Sequence, residues 1–159
     1  MTRTRPSRPA LATVVFALML VLSGCGIRIP ADPDGTLERI SGGDLRVGAS
    51  PAAGLVSVNG DEVSGSMAVA VNGFAASREA HVVWTVGSEE ELVDGLENGR
   101  LDLAIGGMTE QTPWSERVSV TRSYPALSPD GREIVFLLPM GENALQSALE
   151  GYLDDKAGK

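Results

Sequence analysis

The chain has 159 residues, with 21 acidic against 13 basic side chains, a formal net charge of −8 and 43% hydrophobic residues. That length suits one domain, since single domains run about 100 to 200 residues, and the acidic balance argues against nucleic acid and against electrostatic adhesion to anionic lipid. One cysteine and one histidine exclude an intrachain disulfide and leave no basis for a metal centre or other cofactor built on those residues.

Arg3, Arg5 and Arg8 precede an apolar run from Ala10 to Leu22, which leads into Ser23-Gly24-Cys25. A basic start, a short hydrophobic segment and small residues at a cut site describe a secretory signal. A spanning helix would need roughly 20 apolar residues. Residues 1–24 are therefore read as a signal peptide. Leu22-Ser23-Gly24-Cys25 looks like a bacterial lipobox, which would make Cys25 the acylated (palmitate-type) N-terminus and the only membrane attachment. Removing residues 1–24 takes away three arginines and no acid, so the mature chain is more acidic still. Residues 25–43 are rich in Pro, Gly, Asp and Ser and read as a tether, with the folded domain expected over 44–159.

Asp44 to Ser50 is a short apolar strand ending in Gly48 and small residues. Asn59-Gly60 marks a hairpin turn within Ser57 to Gly65. Ser66 is read as the cap of a helix to Ser77, with Val69, Ala70, Gly73 and Phe74 on its apolar face. His81 to Val86 is β-branched and alternating, a strand, with Trp84 in the core. Ser88 and Glu91 form a capping box that opens a helix through Asn98, turning Leu92, Val93 and Leu96 inward and ending at Gly99. A strand at Leu101 to Ile105 follows, then a loop with Thr112-Pro113, a turn or two of helix, and a strand at Val118 to Thr121. Ser128 to Gly131 is a turn, Glu133 to Leu138 a strand, and Asn143 caps a last helix carrying Leu145, Leu149, Tyr152 and Leu153 on one side. Strands alternating with helices imply an α/β fold, a mainly parallel sheet flanked by helices.

The most specific stretch is Gly106-Gly107-Met108-Thr109, which follows the Leu101 strand and runs without a gap to Ser123-Tyr124-Pro125. It resembles the first lobe of the type 2 periplasmic solute-binding proteins, the amino-acid-binding family of bacterial importers. That resemblance implies one lobe of the two-lobe fold, because only about eight residues, Pro125 to Arg132, stand where the family builds its second lobe. It also implies a ligand floor at the strand ends made by Ser50, Gly107, Met108 and Thr109. The family's next threonine falls on Gln111, its carboxylate-binding arginine on Trp114, and an acidic residue of its first helix on Val69. Tryptophan cannot imitate the planar two-pronged guanidinium. Arg117, three residues after Trp114, is the candidate replacement, and is otherwise a solvated surface arginine. Trp114 is read either as a rim wall for a ligand or partner, or as a loop tryptophan packed on its own neighbourhood.

No Ser-His-Asp set, paired carboxylates or phosphate loop is visible, so no enzymatic role is expected. The reading is a lipid-anchored, extracytoplasmic component on the bacterial cell membrane, serving a membrane transporter or permease, which the resemblance implies is ABC-type, and holding a small polar solute. The alternative is an interaction or regulatory module that holds no solute and docks on a transporter, or on a second copy as a homodimer, through the former cleft.

Overall fold

The computed structural model describes residues 32–157, so Cys25 and the signal peptide lie outside the described residues. The folded unit begins earlier than expected. Helix α1 (Thr36–Ile40) is capped by the Asp32 carboxylate, which accepts the Thr36 and Leu37 amides at 2.9 and 3.1 Å, and it buries Thr36 and Ile40. Residues 32–43 are thus part of the domain, a correction to the tether read over 25–43. The Pro/Gly-rich turn before α1 masks one short apolar anchor.

Strands β1 (Asp44–Ala49), β4 (His81–Val86) and β5 (Leu103–Ile105) are parallel neighbours, while a separate hairpin of β2 (Ser57–Asn59) and β3 (Glu62–Ser64) turns at Gly60. Strand β7 (Leu137–Leu138) runs antiparallel between β5 and β6 (Ser119–Val120), giving the order β4-β1-β5-β7-β6. Four of the five strands therefore point one way, as the mainly parallel reading requires. The Glu133 to Leu138 segment joins this sheet as expected, but it ladders over only two residues. Upstream, the buried Ile134 carbonyl accepts the Tyr124 amide, while buried Phe136 accepts the Thr121 amide and donates its own amide to the Thr121 hydroxyl.

Alternation along the strands feeds two cores. On one face Leu45, Val47, Leu103 and Ile105 meet helix α2 (Ser66–Ser77) and the C-terminal helix α4 (Asn143–Ala157), through Met67, Val71, Phe74, Leu145, Leu149 and Leu153. Trp84 is partly buried against this core. On the other face Ala104, Leu137 and Met108 meet Leu92, Val93 and Leu96 of helix α3 (Glu89–Glu97). Gly48 allows α3 to come so close: a Cβ there would sit 2.6 Å from Leu92 Cδ2 and 2.8 Å from Leu101 Cδ1.

Two local readings change. The cap position of α2 is Gly65 at φ 111°, not Ser66, and the buried face is Met67, Ala68, Ala70, Val71, Phe74 and Ala75. Val69 is 71% exposed. The apolar spacing of α2 fits two faces about equally, and packing against α4 and β4 selects one. After Thr112 the chain makes a single turn, closed by bonds from the Arg117 and Val118 amides to the Trp114 carbonyl, in place of a helix.

Candidate functional site

The parallel strands β1, β4 and β5 end on a common edge, called here the front edge. Three backbone segments are tied together there. The Ser50 amide donates to the Ile105 carbonyl at 2.9 Å, and the Gly87 amide to the Ala49 carbonyl at 3.2 Å. Gly106 is required by close approach, since a Cβ would lie 2.8 Å from Met108 Sδ and 3.1 Å from Ser50 Cβ. Gly107 is different: a Cβ there would meet only Ala52 Cβ, at an ordinary 3.6 Å, and its φ is not positive. Nothing within the fold demands glycine at 107. Its effect is to leave the backbone bare beside the partly exposed Ser50 and Thr109.

Met108, expected in the floor, is 3% exposed and belongs to the second core. Its carbonyl accepts the Val135 amide at 3.0 Å, so it supports the floor from beneath. Thr109 bridges to Ile134 and accepts the Thr112 amide at 2.9 Å, which fixes its position at the edge. The start of α3 also reaches this edge, but it is already filled. Glu91 Oε2 accepts the Ser88 amide at 2.8 Å, and the Ser88 hydroxyl accepts the Glu91 amide at 3.3 Å. These bonds hold the Glu91 carboxyl below its ordinary value, the Ser88 amide first. The helix terminus is neutralised by its own acid and is not offered to an anion.

Trp114 is partly buried against the second core, and its indole N–H points to the Glu89 carboxylate at 3.5 Å. Arg117 is not at the rim. Its guanidinium donates to Asp94 at 2.6 Å and to Glu97, and stacks 5.6 Å from the Trp114 ring. Bonds to Glu97 and then Asp94 raise its pKa further above the ordinary arginine value. Helix α3 starts at the front edge and descends from it, so Glu97 lies about 12 Å farther down at ~1.5 Å per residue. Arg117 accordingly lines a cavity of about 460 Å³ at the opposite, rear edge with Arg39, Arg46 and Asp102.

A cation that the sequence reading passed over does stand beside the front edge. Arg132 donates to the Ala53 carbonyl at 2.9 Å and to Asp130 at 2.8 Å, with its side chain 41% exposed. The Ser128 hydroxyl, then Arg132, bring the Asp130 carboxyl down to about 2. A Cβ on Gly54 would lie 3.5 Å from Pro129 Cγ, so the short Pro125 to Arg132 segment passes close to the loop leaving β1. Its only sequence signal is a basic residue within the stretch that stands in place of a second lobe.

No family model and no curated protein matches the sequence. Solved structures do. The arginine-bound form of domain 1 from TmArgBP superposes with a TM-score of 0.63 at 18% identity, over 74% of this chain and 97% of that one. A point mutant of the same domain gives 0.66 at 18% identity, over 77% and 98%. An ancestral cationic amino acid solute-binding protein gives 0.50 at 21% identity, covering 56% of this chain but 40% of its own. The chain has the fold of one lobe of a type 2 periplasmic binding protein, in agreement with the motif resemblance.

Proposed function

We propose that this chain is a single-lobe solute-binding protein whose site is the front edge. The observation that carries this reading is the bare backbone at Gly107, set between Ser50 and Thr109 at the strand ends and unexplained by packing. An isolated lobe of this fold, domain 1 of TmArgBP, is known in an arginine-bound form, so a lone lobe is able to hold a solute. Here Ser50, Gly107 and Thr109 form the floor, Met108 supports it, and Arg132 is the cation within reach of an acidic group. Lipidation at Cys25 holds the domain on the outer side of the bacterial membrane, where it serves an ABC-type permease. The role is binding, with no reaction assigned.

The expected affinity is low. Trp114 occupies the place of the family's arginine and turns its indole toward Glu89, and Arg117 is committed to α3. Tight small-molecule sites bury roughly 70 to 90% of the ligand, whereas one lobe leaves a side of the solute in water. Those two facts favour the second reading, in which the front edge docks on a permease or on a second copy of the chain.

Calorimetry on the full chain with arginine, glutamine and other free amino acids separates the readings. Binding of about 1 mM or weaker, lost in Thr109→Val, reduced in Arg132→Ala and kept in Arg117→Gln, supports a solute site. No heat with any solute, alongside concentration-dependent self-association that Gly107→Leu abolishes, supports docking. Micromolar binding that survives Thr109→Val refutes the placement of the site. Cys25→Ser should release the protein from membranes, and an unacylated mature N-terminus would overturn the anchor.

A further inference from the structure

Beside the front edge, on the α2 face of the sheet, α2, the Pro125–Leu127 turn and α4 enclose a mainly apolar cavity of about 410 Å³. This volume lies within the roughly 300 to 1,000 Å³ of small-molecule sites. Its walls are Val69, Leu127, Leu153 and the rings of Tyr124 and Tyr152. The cavity depends on a missing side chain. The Tyr152 hydroxyl sits where a Cβ on Gly73 would be, at 2.1 Å, and this lets the ring lie along α2. It also accounts for Val69, the most exposed large apolar residue described, which stands where the resemblance places an acid.

Two polar residues belong to this lining, and the oxygen of one is sealed from its space. The Ser66 hydroxyl is buried and has no hydrogen-bond partner among the described residues, an uncommon condition for a buried polar atom. Lys156 stands at the mouth, its ammonium 5.6 Å from the Tyr152 ring. The acids on the same helix are directed elsewhere. Arg122 takes Glu150 at 3.1 Å and Asp154 at 2.7 Å, and Asp155 lines a separate hollow beside Arg78. No described carboxylate pairs with Lys156.

We propose that this cavity is a second binding site, lined by none of Ser50, Gly107 and Thr109, for a small aromatic carboxylate. Its ring lies between Val69, Leu127 and the two tyrosines, and its carboxylate meets Lys156 at the mouth. Aromatic faces favour a flat ring, and a single cation favours a monoanion.

The probe is 5-fluoroindole-3-acetate, titrated against the full chain in lipid nanodiscs and followed by fluorine NMR, with uncharged 5-fluoroindole as its control. The acid should bind saturably and more tightly than the control. Val69→Asp, at an exposed position, should abolish saturation without lowering the melting temperature. Lys156→Gln should weaken the acid by about five-fold and leave 5-fluoroindole unchanged. Thr109→Val should alter neither, which separates failure here from failure of the front-edge reading. Equal binding of acid and control, or wild-type binding by Val69→Asp, would overturn the assignment.

Discussion

At the front edge of the sheet the chain presents backbone and short side chains: Ser50, Gly107, Thr109 and a helix terminus closed by its own glutamate. At the rear edge it gathers ions. Asp102 is 1% exposed and takes the Arg46 amide at 2.9 Å together with the guanidinium groups of Arg39 and Arg46, while Arg117 pairs with Asp94 and Glu97 beside it. The Asp102 contact also raises the Arg46 pKa above its ordinary value, the side-chain hydrogen bond being the main cause. Both edges belong to one sheet, yet three arginines are committed to holding the rear, while Arg132 stands beside the front. The lobe concentrates its charged contacts at one end and leaves backbone and short side chains at the other.

The strongest way to break this contrast is to strip the rear. Replacing Arg39 and Arg46 together by Met leaves Asp102 buried without either guanidinium. A loss of about 3 to 5 kcal/mol is expected in urea unfolding. A wild-type unfolding curve would erase the distinction between the edges. At the front, Ser88→Ala removes the cap of α3 and should cost about 1 kcal/mol, read by the same experiment. A loss as large as that of the double variant would show the front to be equally dependent on local polar contacts.

A smaller effect sharpens the picture of the rear edge. Glu142 is 1% exposed, one carboxylate oxygen takes the Asp34 amide at 3.2 Å, and the other has no hydrogen-bond partner among the described residues. Burial, and then contact with Asp32, raise its pKa above the ordinary 4.5. The native state therefore holds this proton more tightly than the unfolded chain does. Its contribution to stability is present below pH 4.5 and is lost as the pH climbs through the raised value. Glu142→Gln should flatten that slope and raise stability at pH 7 by less than about 1 kcal/mol, as followed by thermal melts between pH 4 and 8. An unchanged slope would place the titration elsewhere.

What the sequence discloses about this molecule is mostly local. Ser88, Glu91 and the inward Leu92, Val93 and Leu96 announce α3, because a capping box and a helical apolar stripe act within one helix. The Gly106 to Thr109 string discloses the lobe and the position of its edge. What stays hidden depends on distant partners. The apolar run Ile134 to Leu138 is buried throughout but ladders over only two residues, and periodicity does not tell a paired strand from a threaded core segment. Arg117 lies three residues from Trp114, yet the acids that hold it are 20 and 23 residues away on α3. Arg132 gains its place only because the chain folds back onto Ala53, 79 residues earlier.

The Tyr124 amide donates to the Ile134 carbonyl at 2.8 Å, so the chain leaves and re-enters the lobe through a single hydrogen bond. Mechanically that junction is a closed gate. Whatever is spliced between Tyr124 and Ile134 is attached at two points already held together, and it imposes no stretch on β6 or β7. A reporter domain with neighbouring termini, inserted after Asp130, would therefore fold as an independent appendage mounted beside the front edge.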